Sequence, residues 1–300
     1  MSYIPQNCPN SSCLRTCGFI KKGFHYVKHL NQKYRIFQCK TCKRYFTSRT
    51  FRLDYRQRRS DVNAMIAMDI AEGKSLRGIS RSTGLTFNNV YRKFLWLKKV
   101  TDKFQEKLTY SASTLQFDEL ETIEHTKCKP LHIVLAVNEK HQLLAAKVAI
   151  MPAKGRLAEL SRKKYGLRDN QRIEKIGEVF SELRSRLVAM PILIKSDSHP
   201  TYRPQVERFF EGIEYRQYLR PKKKKMQERL HEKAQKSKFD PIFSVNHNCA
   251  LLRDRIKRLA RRNWCTTKKI ENLQLNLEIF IMYKMTPKSA LKKWDLGESG

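Results

Sequence analysis

Four cysteines near the start of the chain restrict its folding more than any other feature. Cys8-x4-Cys13 is followed by Cys39-x2-Cys42, the second pair embedded in YRIFQCKTCKRYF. A segment of roughly 50 residues can hardly bury enough apolar surface to fold without a staple. Each pair has the spacing of a zinc-knuckle turn, and together they supply four thiolates for one tetrahedral Zn²⁺. Phe37, Tyr45 and Phe46 alternate as in short strands packed beside such a site. Cys17 is an alternative to Cys13, and unligated buried cysteines are the competing reading. His25 and His29 are assigned to the basic face of the ribbon loop. A zinc ribbon is therefore expected over 1–50.

Charge narrows the partner. Sixty-two Lys and Arg face 28 Asp and Glu, a formal net charge of +34. A surface so unbalanced repels itself unless a polyanion shares it, so nucleic acid is expected and a membrane surface is the weaker reading. No apolar run approaches the roughly 20 residues of a transmembrane helix. MSYIPQNCPN lacks the regions of a signal peptide. A cytoplasmic, nucleoid-associated protein with reduced cysteines follows as the expectation.

From Asp61 to Val100 the period becomes helical. Val62, Met65, Ile66 and Ile70 form a stripe closed by Gly73. Ser75 caps a short segment carrying Leu76 and Ile79, Gly84 makes a turn, and Thr86 starts a third helix with Val90, Phe94 and Leu97 inward. The spacing predicts a helix-turn-helix within an all-α domain at 51–112, its helical connector reaching Ser113 past Lys98, Lys99 and Lys103. Asn88, Asn89, Arg92 and Lys93 form the outward face expected to contact base edges and phosphates. Any three-helix bundle satisfies the same apolar pattern.

The segment LQFDELETIEHTKCKPLHIVLAVN places Asp118 inside a strand, between Leu115, Phe117 and Leu120. A carboxylate there needs a partner, a metal or an arginine, unless the strand is an edge with a solvated Asp-Glu pair. Further strands are expected at LHIVLAVN, Gln142–Ile150, PILIKSD and Glu214–Leu219, with PILIKSD apolar from Ile192 to Lys195 as if covered on both faces. Helices are expected at Arg172–Met190, with Ile173, Ile176, Val179, Phe180, Leu183 and Leu187 on one side, and at Tyr202–Phe210. The predicted catalytic domain, 113–285, is α/β with a mixed five-stranded sheet, and 286–300 is a tail. If the strand ending at Asp197 lies parallel beside the Asp118 strand, two carboxylates converge. Mg²⁺ (or Mn²⁺), as two ions, is the natural counter-charge and serves phosphoryl transfer. Glycosidases also use carboxylate pairs, but their neutral sugars give no reason for the basic surface.

These blocks, with CPNSSC, CKTCKRYF, KSDSHPTY and NHNCALLRDRIKRLARRNWCTTKK, resemble transposases of bacterial insertion sequences, in the insertion-sequence-1 group. The resemblance covers nearly the whole chain. It implies a ribonuclease-H-like core, binding to element ends, metal-dependent strand cleavage, transfer of the freed 3′-hydroxyl and work as a homo-oligomer. Such enzymes usually supply a third acid from the final helix, and that position here is Asn246. An amide oxygen can coordinate Mg²⁺ but brings no charge and cannot act as a base. The metal set implied is thus Asp118, Asp197 and Asn246, with Asp240 and Asp254 ranked below Asn246.

A helix from about Asn246 to Arg262 carries Arg253, Arg255, Lys257, Arg258, Arg261 and Arg262. Arg253 shares a face with Asn246, because seven residues make almost two turns. That places a guanidinium where the cleaved strand's backbone would lie, with Lys257, Arg258 and Arg261 as further DNA contacts. His199 is a candidate for orienting water. The basic run 220–238 reads either as a phosphate-binding arm or as a solubilising loop. Ile270–Tyr283 is expected to be an amphipathic helix on the sheet. The readings competing with a transposase are a DNA-binding protein that has lost cleavage and a metal-dependent nuclease without strand transfer.

Overall fold

The computed structural model describes residues 5–13, 18–219, 240–260, 265–291 and 294–296. Cys17, Arg261, Arg262 and the 220–238 run lie outside them. The chain divides into two compact units, one of Met1–Asp69, Lys74–Glu106 and Pro287–Gly300, the other of Ile70–Gly73 and Lys107–Thr286.

The first unit opens with an antiparallel sheet, β1 (Phe19–Val27), β2 (Gln32–Cys39) and β3 (Tyr45–Phe46), in that order. β1 is exposed along almost its whole length, so the sheet has little core of its own. Phe37 and Phe46 are buried around Cys39, with Phe19 and Phe51 packed edge-on against Phe46. Tyr45, one residue out of phase, faces solvent, as a two-residue period requires.

Helices α1 (Asn63–Ala71), α2 (Leu76–Thr83) and α3 (Phe87–Lys107) follow. Ser75 Oγ accepts the Gly78 amide at 3.0 Å and caps α2. Gly84 ends it at φ 68, a left-handed conformation that glycine adopts without a Cβ clash. Ile66, Ile70, Ile79, Val90, Phe94 and Leu97 are buried as expected. Met65 is 37% exposed: it lies about 60° off the arc spanned by Val62, Ile66 and Ile70. The expected helical connector to Ser113 is shorter, being the end of α3 itself, which stops at Lys107 and carries Lys98–Asp102 and Lys103–Glu106 ion pairs on its surface.

The second unit is an α/β core. β4 (Thr114–Ile123), β5 (Pro130–Asn138) and β6 (Leu143–Ile150) form an antiparallel meander. The chain then crosses over through α4 (Ala158–Tyr165) and α5 (Arg172–Arg186) to β7 (Leu193–Asp197), which pairs parallel with β4. A second crossover, α6 (Tyr202–Phe209), leads to β8 (Glu214–Tyr218), parallel to β7. The mixed five-stranded sheet has the order β6-β5-β4-β7-β8. Helices α7 (Phe243–Arg255) and α8 (Ile270–Met285) come next, then the short α9 (Lys288–Leu291).

Period-two alternation divides the core between the faces of the sheet. Phe117, Val134, Ala136 and Ile194 pack with Ile176, Phe180 and Val206 of α5 and α6. Leu120, Ile133 and Leu135 pack with Val245 and Leu252 of α7 and Leu277 and Phe280 of α8. Covered on both faces, β5 is buried from Leu131 to Asn138. β7 is not covered throughout: Ile192 is 74% exposed and the strand begins after it.

Three helix expectations change. α5 ends at Arg186, and Ile173, in its first turn, is exposed. α8 is not amphipathic, because Leu275, Leu277, Ile279, Phe280, Ile281 and Met282 are buried on successive sides. Gln274 on this helix accepts from the Val148 amide and donates to the Ala146 carbonyl, both at 3.0 Å, so it pairs backbone groups on edge strand β6. α7 stops at Arg255, where Ile256 turns extended, and Lys257–Leu259 form a separate 3₁₀ turn. No helix among the described residues is long and apolar enough to cross a membrane.

Candidate functional site

The four ribbon cysteines meet. Their sulfurs all lie within 4.8 Å of one another, with Cys8–Cys42 at 3.5 Å and Cys13–Cys39 at 3.7 Å. A tetrahedron of ~2.3 Å Zn–S bonds has sulfur–sulfur edges of about 3.8 Å, whereas a disulfide needs ~2.05 Å. The donor set therefore fits a structural metal such as zinc. Backbone amides of the second knuckle face its sulfurs: the Cys42 N–H, against burial, pulls the Cys39 thiol down to about 6. The Arg44 N–H likewise lowers Cys42, while burial raises Cys8. Thiolate is the ligand form, so the knuckle is built to hold it.

In the second unit the acids come together on the sheet. The β4–β7 ladder ends at Gln116–Lys195. Asp118 and Asp197 each stand two residues further on, hence on one face and next to one another on neighbouring parallel strands. β7 ends at Asp197 while β4 continues, held by β5. The opening lies at the carboxyl ends of parallel strands, where ligands bind in open α/β sheets. Both acids are buried, at 4% and 8% exposure. They line a cleft of about 300 Å³ with Tyr202, His199, and Asn246, Cys249 and Arg253 of α7.

Local hydrogen bonds fix the aspartates. Asp118 Oδ1 accepts the Glu119 amide at 2.7 Å, and Asp197 Oδ1 accepts the His199 amide at 3.2 Å in an Asx turn. Gln116 Oε1 accepts the Val245 amide at 3.2 Å, which seats the start of α7 on the acid face. Asn246, Cys249 and Arg253 then follow at i, i+3 and i+7 along the cleft wall. Asn246 Nδ2 donates to Asp240 Oδ2 at 2.8 Å, leaving Oδ1 as the amide's acceptor atom. Asp240 also accepts the Ile242 amide at 3.0 Å, so its carboxylate serves the start of α7 and does not line the cleft. Asp254 is exposed and pairs with Arg255 at 3.2 Å.

The same cleft holds a network that the sequence did not announce. On the opposite face of the sheet, Glu119 pairs with Arg172 at 2.9 Å and hydrogen-bonds His132. Arg172 also donates to His199 Nε2 at 2.7 Å and reaches His132 Nδ1 at 3.2 Å. Burial raises the Glu119 carboxyl, but the His132 hydrogen bond and the Arg172 charge outweigh it and hold the group below the usual range. Burial and the Arg172 charge push the His199 imidazole down. Arg172 donates to Nε2, and Nδ1 lies 2.8 Å from Thr201 Oγ1 and 3.3 Å from the Thr201 amide that donates to it. Burial, with Glu119, Asp118 and Asp197 nearby, pushes the Tyr202 hydroxyl up and keeps it protonated. One signal was present in the sequence: His132 is a polar residue inside an otherwise apolar strand. Arg172 gave none, since it opens a helix like any first-turn residue.

The expected DNA contacts are redistributed. Arg253 lines the acid cleft. Lys257 and Arg258 lie past the break at Ile256 and outside the cleft lining, on a turn that no longer continues the face of Asn246. On α3, Asn88, Asn89 and Arg92 are exposed. Lys93 is not: it is 8% exposed, and its ammonium donates to Asn63 Oδ1 at 2.6 Å and Gln57 Oε1 at 3.2 Å. Burial pulls it down to about 8. The segment before α1 folds over this part of α3 and takes Lys93 out of any outward face.

No protein-family model matches the chain, and no curated protein matches it either.

Proposed function

We propose that the chain is a DNA transposase of the ribonuclease-H-like kind, which cuts at the ends of its own element and joins the freed 3′-hydroxyl to a target. The observation that carries this is the placement of Asp118 and Asp197 side by side past the last β4–β7 pair, facing Asn246 and Arg253. Three antiparallel strands followed by two parallel crossovers are also the strand sequence expected of such a core.

Two adjacent carboxylates form a like-charged pair that divalent cations neutralise, and the oxygen-only donor set suits Mg²⁺ or Mn²⁺. Bound there, such ions would activate an attacking oxygen and offset charge on the leaving one. The chain's own groups do the rest. Arg253, on the cleft wall, sets a guanidinium beside the acids, a group suited to the phosphate of a bound strand. Arg172, through His199, fixes the turn whose amide orients Asp197. Tyr202, kept neutral, packs its ring on Phe117 beside the acids and adds no negative charge. In this reading the ribbon and α2–α3, as a helix-turn-helix, hold the element end, with the exposed Asn88 towards the groove.

One observation favours a second reading, a DNA-binding protein without cleavage: Asn246 stands where a third charge is expected, and its amide already bonds Asp240. The test uses labelled duplexes carrying the inverted repeats that flank the gene, with Mg²⁺ or Mn²⁺. A nicked strand and a joined product are expected from the wild type, and binding without cleavage from Asp118→Asn. Binding without cleavage by both proteins establishes the second reading. Cleavage without joining makes the chain a nuclease.

A further inference from the structure

A second cleft, of about 590 Å³, is formed entirely within the first unit, between the 56–59 segment and one face of α3. Its volume falls within the ~300–1,000 Å³ usual for small-ligand sites. Asn89, Arg92, Lys93 and Trp96 line one side, spaced as one helical face requires. Arg56, Arg58 and Arg59 line the other.

The segment opposite α3 is fixed. Trp96 Nε1 donates to the Leu53 carbonyl at 3.0 Å, and the buried Lys93 ammonium holds Gln57 and Asn63. Asn63 Nδ2 also donates to Gln57 Oε1 at 3.1 Å. Inside the segment, the Gln57 amide donates to the Asp54 carbonyl at 2.9 Å, and Arg52 pairs with Asp54 at 2.8 Å. Arg56 and Arg59 occupy left-handed backbone conformations, φ 64 and 53, which side chains rarely adopt. Those turns keep Arg56, Arg58 and Arg59 exposed while Gln57 between them is drawn inward. Asp61 pairs with Arg59 at 3.1 Å.

An indole wall, an amide and a rim of arginines match the parts of a nucleotide: a π-face, a hydrogen-bonding base edge and flanking phosphates. We propose that this cleft binds an unpaired nucleotide of a DNA strand, its base against Trp96 with Asn89 at the base edge, and its phosphates on Arg56 and Arg58. Stacking on an aromatic ring needs an open π-face, which a paired base inside a duplex does not offer. The inference rests on the DNA-binding part of the proposed function, not on strand cleavage. Its test omits divalent cations, so it stands or falls apart from the cleavage assay.

The measurement is tryptophan fluorescence of the full chain titrated with a dT12 strand, an abasic strand of equal length and a blunt duplex. The wild type is expected to show quenching by dT12 that Trp96→Leu removes, together with about tenfold weaker binding. The abasic strand and the duplex should give no Trp96-dependent quenching. The double variant Arg56→Gln/Arg58→Gln, altered only at the exposed rim, decides the matter even if Trp96→Leu folds poorly. Its plot of log affinity for dT12 against log salt should be shallower by about 1.4, roughly 0.7 for each lost phosphate contact. Equal Trp96-dependent quenching by the abasic strand overturns the proposal. So does wild-type affinity for dT12 in a folded Trp96→Leu, or an unchanged salt slope in the double variant.

Discussion

Stripping metal from the ribbon, by chelation or by Cys39→Ser, is expected to unfold residues 18–47 while the five-stranded sheet stays intact. The sheet β1–β3 has one largely wet strand and, among the described residues, a small buried cluster of Phe37, Cys39 and Phe46 with Phe19 and Phe51 against it. A cluster that small does not offset the conformational entropy of ordering the segment. Zinc binding in comparable small sites is worth roughly 10–16 kcal/mol, and that free energy becomes folding free energy. Hydrogen exchange followed by mass spectrometry reads the result by segment. Amides of β1 and β2 should lose protection on metal removal, and those of β4 and β5 should keep it. Full protection of β1 and β2 in the stripped protein would mean that the cysteines are merely buried.

Arg172→Met is expected to destabilise the second unit by about 1–3 kcal/mol at neutral pH, because the buried Glu119 loses its guanidinium partner and keeps only the His132 hydrogen bond. Glu119 is 5% exposed at its side chain and Arg172 11%, so water does little to compensate. The pH dependence follows from the lowered Glu119 carboxyl. A carboxyl lowered on folding contributes stability above its unfolded value of ~4.3, and that contribution disappears as pH falls through the folded value. Denaturant unfolding should therefore show a gap between wild type and variant that is full at pH 6–7 and narrows in acid below about pH 4. Glu119→Gln is expected to share the loss at neutral pH and to have a flatter acid limb.

Much of this arrangement was legible where period and turn chemistry speak locally. Ser75 and Gly84 mark the ends of α2, and the alternation in β4 separates Phe117 from Asp118. The expectation of a strand covered on both faces was attached to Ile192–Lys195, and β5 is the strand that meets it. The convergence of Asp118 with Asp197 followed from one assumption, that the two strands are parallel neighbours, and the β4–β7 pairing is parallel.

What escaped depends on groups far apart in the chain. Lys93 looks solvent-facing on α3, and only the aperiodic 53–59 segment, with Gln57 and Asn63, covers it. Glu119 looked like half of a solvated pair, yet its partner Arg172 lies 53 residues away. The end of α7 at Arg255 has no Gly or Pro to announce it. The residues that follow form helices well, and the turn at Ile256 buries Ile256 and Leu259 in the core instead.

The central claim is that Asp118 and Asp197 act as one divalent-cation site. Its most direct test is a Mn²⁺ titration of the zinc-loaded protein bound to duplex DNA, with free Mn²⁺ followed by electron paramagnetic resonance. The expected result is saturable uptake by the wild type that both Asp118→Asn and Asp197→Asn abolish without loss of DNA binding. Equal Mn²⁺ uptake by the wild type and both variants would contradict it.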